Sequence, residues 1–207
     1  MKTMNDLFLH FLQDIYYAEK ASAKSITKLL RTVTHPDVLE MLRTAKEHAQ
    51  EPIERLDRVF EAVGKRPRGK ACEAMNGLLT EAMEAIEEGD KGPILDAALI
   101  ACLQGVKTYE ITRYGSLLAF ARQMGLDEAV TELTALRDAA RADDERLTAI
   151  AEGGANAAAQ DAGAGETDEA GEEPEEDEQP GDEPEQRAAE SKAGDDKKKT
   201  PAARRKA

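Results

Sequence analysis

Tryptophan is absent from this chain of 207 residues, and phenylalanine and tyrosine contribute only four side chains each. A core must therefore be built from Leu, Ala, Ile and Met. Cysteine is nearly absent too. Cys72 and Cys102 are the only two, too few for a disulfide framework, and their spacing matches no metal or redox motif. They read as small buried hydrophobes in a reducing, cytoplasmic protein. No leader and no long apolar run is evident, so no membrane partner is expected. Nucleophile–base–acid arrangements, phosphate loops and nucleotide motifs are missing as well. Hydrolase and kinase readings have no support, and no small-molecule substrate is identified. Glycine and proline are scarce inside the periodic segments, which points to an all-α domain.

Charge divides the chain. The formal net charge is −14 over the whole sequence, and residues from Gly153 onward carry 16 Asp and Glu against 8 Lys and Arg. That segment, AGETDEAGEEPEEDEQPGDEPEQ and its surroundings, has no apolar periodicity. Residues 153–207 are therefore expected to be a disordered acidic tail. Its end, KAGDDKKKTPAARRKA, reverses sign, so weak nucleic-acid contact through this basic end is a partner expectation beside the plainer reading of a solubilising extension. Residues 1–152 are long enough for one domain with a proper core.

Apolar residues recur every three and four positions in four long stretches. Phe8, Leu12, Ile15, Ser22, Ile26, Leu29 and Val33 mark the first, from about Thr3 to Thr32, with Tyr16, Tyr17 and Asp14 off the stripe. The second runs from Pro36 to Val63 through Val38, Leu42, Ala45, Ala49, Leu56 and Phe60. Pro52 lies on its inner face and cannot donate to the carbonyl of His48, so a kink or widened turn is expected there. After the basic loop Gly64–Gly69, a shorter helix, Cys72 to Glu88, shows Met75, Leu78, Leu79, Ala82 and Ile86 on one face, with Glu81 and Glu84 opposite. This apolar face beside a basic loop suggests a two-fold partner surface, hence a homodimer. The third long helix starts at Pro93 and ends at Gly125; the fourth begins with Asp127 as a plausible N-cap and ends before Gly153.

Polar residues interrupt the inner faces near mid-helix. Glu110 lies within roughly 20° of the centre of a stripe made by Leu99, Leu103, Val106, Leu117, Ala121 and Met124, with Tyr114 beside it. Glu19 falls between Ile15 and Ser22 on the first stripe. His48 is marginal, roughly 75° from its stripe's centre, while Asp143 and Asp144 flank theirs at about 40° and 60°. A carboxylate aimed into a bundle is costly unless it is paired, protonated or bound to a metal. Glu19, His48, Glu110, Asp143 and Asp144 are thus candidate ligands for iron or manganese. A buried hydrogen-bond network among the same groups, Tyr114 and water is the equal alternative.

The runs LQDIYYAEKA (12–21), ALIACLQGVKTYEITRYGSLLAFARQMG (98–125) and ERLTAIA (145–151) resemble the YciE/YciF family of ferritin-like proteins, over residues 4 to about 152. AEK (18–20), DAALIA (96–101) and YEITRYGSL (109–117) carry the likeness most strongly. The resemblance implies a ferritin-like four-helix bundle with an additional short helix, a di-iron-type carboxylate site, frequent dimers and a stress role. Glu19 and Glu110 match the carboxylates expected on the first and third long helices. His48, Ala49 and Pro52 depart from the pattern on the second. On the fourth, Ala140 stands where the most inward carboxylate is expected, while Asp144 is retained. The family's function thus becomes, for this chain, a stress-associated bundle with a depleted site and low metal occupancy. Ferroxidase-like activity is an open question, and a non-enzymatic dimeric scaffold or interaction protein with a charged tail is the alternative.

Overall fold

Among the described residues there are seven α-helices: α1 (Met4–Thr32), α2 (Pro36–Glu47), α3 (Glu51–Ala62), α4 (Glu73–Glu88), α5 (Pro93–Met124), α6 (Asp127–Ile150) and α7 (Asn156–Glu169). The computed structural model describes residues 1–169, with side chains through residue 164. Among the described residues there is no strand, and no helix is long and apolar enough to cross a membrane. α1, the α2–α3 pair, α5 and α6 form the ferritin-like four-helix bundle, and α4 packs across α1 and α5.

Local chemistry sets the ends. Thr3 caps α1 reciprocally with Asp6: the Asp6 N–H donates to the Thr3 hydroxyl at 3.1 Å, and the Thr3 N–H donates to the Asp6 carboxylate at 3.2 Å. Gly125 ends α5 at φ 69°, a left-handed conformation that suits glycine. Asp127 is the first residue of α6 and makes no side-chain cap bond; Leu126 holds the cap position. The second long helix is two helices. Pro52 has no N–H for the His48 carbonyl, and the N–H of Glu51 takes that oxygen instead at 3.0 Å, so the chain turns over His48–Gln50 before α3 begins.

Two expectations are corrected by the packing. Tyr16 and Asp14, placed off the stripe, are buried, because α1 packs on both α3 and α5 and so buries a wider face. Tyr16 meets Phe60 edge to face at 5.3 Å between ring centroids. On α4, Met75 and Ala82 are buried against the bundle, while Leu78, Leu79 and Ile86 are half-buried. The tail expected from 153 is helical through Glu169. A π-helical turn at Ala151–Ala155 absorbs a bend at Gly154, φ 145°, Ala151 and Ala155 are buried, and α7 packs on α5. The rest of the expected tail, 170–207, including its basic end, lies outside the described residues.

The core forms two apolar clusters. One gathers Phe8, Leu12, Ile15, Leu56, Phe60 and Leu117; the other gathers Leu29, Leu42, Leu95, Leu99, Leu147 and Ile150. Each main helix crosses from one cluster to the other at the level of its polar interruption.

Candidate functional site

At that level α1 presents Glu19, α5 presents Lys107, Glu110 and Tyr114, and α6 presents Asp143. Lys107 organises them. It stands three residues before Glu110, one turn along the same face. Its ammonium donates to Glu110 Oε2 at 3.0 Å and lies 3.1 Å from Asp143 Oδ2. Glu110 is only 3 % exposed, so this cation is what makes its burial tolerable. Across the bundle the Tyr114 hydroxyl donates a hydrogen bond to Glu19 Oε1.

The electrostatics follow from enclosure. Burial, and next the charge of Glu110, push the Glu19 carboxyl up to about 8; Lys107 and Tyr114 pull the other way, and Asp143 adds a smaller upward push. Glu19 keeps some accessible surface and lines a cavity that is partly open to solvent. Burial alone would lower the Lys107 ammonium. Glu110, Glu19 and Asp143 outweigh it and raise the group, so it stays charged. Burial, then Glu19 and Glu110, hold the Tyr114 hydroxyl well above its ordinary value, and it remains a donor. Near neutrality Glu19 therefore holds a proton while Lys107 stays an ammonium.

The candidate ligands separate accordingly. Glu110 and Asp143 pair with Lys107, and Glu19 joins the network through Tyr114. His48 does not join them: its ring is 58 % exposed and its Nδ1 lies 2.8 Å from Glu51 Oε1. That hydrogen bond is the main reason its pKa is raised. The break before Pro52 leaves His48 as the C-cap of α2, turned along the chain rather than across the bundle. Asp144 is half-buried and takes no part in the network. Ala140, the position where the resemblance implies a carboxylate, is buried and offers no donor. Among the described residues no three His, Cys, Asp or Glu side chains gather as a metal ion needs. Di-iron sites of this architecture draw on about four Glu and two His. The donor set here, with an ammonium at its middle, does not fit two irons.

Lys107 is the residue that sequence reasoning missed. The available signal was its place three residues before an inward Glu110, on the same side of α5.

Comparisons with known proteins agree with this architecture. Protein YciF of Escherichia coli (strain K12) is 38% identical over 152 residues, covering 73% of this chain and 92% of that protein. The crystal structure of the E. coli stress protein YciF superposes with a TM-score of 0.71 at 37% identity, over 75% of this chain and 99% of that one. YcfI from Rhodopseudomonas palustris matches with a TM-score of 0.68 at 43% identity, over 71% of this chain and 94% of that one. Residues 3–160 match the family described as "Domain of unknown function (DUF892)", and the chain belongs to that family, with YciF as its relative.

Proposed function

We infer that this chain is a stress-associated helical-bundle protein in which a lysine–carboxylate network occupies the place of a di-iron centre, so that it works as a binding or structural protein rather than a ferroxidase. The stress role is taken from the relative described as a stress protein. The observation that carries the rest is the Lys107 ammonium, at 3.0 Å from Glu110 and 3.1 Å from Asp143. A resident ammonium satisfies the carboxylates that a cation would need, and a metal must displace it to bind. Turnover of two irons further needs carboxylates bridging from at least two helices, and Ala140 supplies none.

The test is elemental analysis of protein purified without chelator, followed by anaerobic Fe(II) addition and exposure to oxygen. The expected result is far less than one iron per chain and an oxidation rate equal to that of buffer. Two irons per chain with rapid Fe(II) oxidation would overturn the reading.

A further inference from the structure

Between the two apolar clusters the bundle forms a cavity of about 390 Å³ that opens to solvent past exposed His48, Glu51 and Arg146, within the range of small-molecule sites, roughly 300–1,000 Å³. Its walls are apolar: Ile26 and Leu29 from α1, Leu42 from α2, Leu79 from α4, Leu103 from α5 and Leu147 from α6. Its charged residues fall into two sets. His48, Arg55 and Arg146 stand toward the outside, and each is already matched, by Glu51, Glu132 and Glu40 respectively. Glu19 and Lys107 form the inner end, and Asp143, its side chain 47% exposed, stands beside them at the rim. There one ammonium faces three carboxyl groups, counting Glu110 behind it. Glu19 Oε1 accepts from Tyr114, no second hydrogen bond reaches this carboxyl among the described residues, and Glu19 lines the cavity.

An apolar chamber with surplus carboxyl at one end discriminates by charge. An anionic head group would meet that surplus, and a neutral one would leave it unbalanced; a single positive charge satisfies it. We propose that the cavity binds a monocationic amphiphile, a primary amine on an apolar chain, with its ammonium between Glu19 and Asp143 and its chain along Ile26, Leu29, Leu42 and Leu103. The site goes beyond the role inferred above but rests on the cation at the bundle centre being Lys107.

Decylamine is the probe, compared with decanol and decanoate by isothermal calorimetry on the full chain, all below micelle formation. One decylamine should bind per chain, with affinity rising about fourfold per methylene from octylamine. Decanol should bind about tenfold more weakly, and decanoate not at all. Because Glu19 already holds a proton near neutrality, the charge test falls on its neighbour: Asp143→Asn should bring amine and alcohol to within about threefold of each other. Ala49→Phe, which fills the cavity from the α2–α3 turn, should abolish binding; Ala139→Phe, also on the cavity wall, replaces it if the first does not fold. Failure of decylamine to saturate, decanoate binding as tightly, or binding that survives the filled cavity would each overturn the proposal. Metal analysis of the same samples separates the two readings. Iron-loaded protein that refuses decylamine overturns the lysine-centred network, whereas metal-free protein that refuses it overturns the amine site alone.

Discussion

Glu19→Gln should change how stability depends on pH more than it changes stability itself. In the folded chain the Glu19 carboxyl is pushed, first by burial and then by Glu110, from an ordinary 4.5 up to about 8. Between those values the folded chain holds a proton that the unfolded chain has released. Stability from this group is therefore complete in acid and is lost as pH rises through the window. One fully coupled group gives a slope of about 1.36 kcal/mol per pH unit. Raising the pH from about 5.5 to about 7.5 then costs the wild type up to about 3 kcal/mol, or roughly half that where solvent in the cavity screens the carboxyl. Glutamine keeps an oxygen to accept from Tyr114 and does not titrate. Urea unfolding of both proteins at both pH values isolates the effect. The stability of wild type relative to Glu19→Gln should fall by about 1.5–3 kcal/mol as the pH rises. A difference that stays flat, or that grows with pH, refutes the reasoning.

Other perturbations read the fold around the site. Ending the chain after Glu152 rather than after Glu169 removes buried Ala155 and all of α7; the shorter chain should lose about 1–3 kcal/mol in urea unfolding. Asp96 is buried and accepts from the Thr34 N–H at 2.8 Å and the Thr34 hydroxyl at 2.5 Å. Asp96→Ala should cost about 2–4 kcal/mol, seen as a lower melting temperature. Glu132 is clamped by Arg58 at 2.8 Å and Arg55 at 2.9 Å, and the Arg58 hydrogen bond above all holds its carboxyl below the ordinary value. That stability is present above the ordinary 4.5 and is lost as pH falls through the lower folded value. Glu132→Gln should cost about 1 kcal/mol near neutrality and almost nothing in strong acid, by denaturant titration at both pH values.

The long helices were legible because their apolar periodicity is strong and their ends carry local chemistry, such as Pro36 and Pro93 inside the starts and Gly125 past an end. Inward Glu19 and Glu110 were legible for the same reason, since a carboxylate within an apolar stripe has little choice of direction. Lys107 was not. A lysine normally reads as surface, and its direction here is set by Glu110 and by Asp143 of a different helix. The wheel that put His48 at the margin treats the segment as one continuous helix, whereas the break expected at Pro52 pairs His48 with Glu51 instead. The extension to Glu169 was hidden by composition. Alanines such as Ala151 and Ala155 bury too little area to show a stripe, and Gly153-Gly154 looks like a stop although Gly154 serves as a bend within continuing helix.

The central claim is that the cation at the bundle centre is the Lys107 ammonium. Manganese(II) binding followed by electron paramagnetic resonance, on wild type and Lys107→Ala, tests it most directly. Removing the ammonium leaves buried Glu110 without its partner, at a cost of about 3–5 kcal/mol, and opens the space between Glu110 and Asp143 to another cation. The account predicts that wild type leaves Mn(II) free in solution, while Lys107→Ala binds one ion per chain and regains melting temperature as it does so. Stoichiometric Mn(II) on the wild type, or a Lys107→Ala variant that binds it no better, would contradict the account.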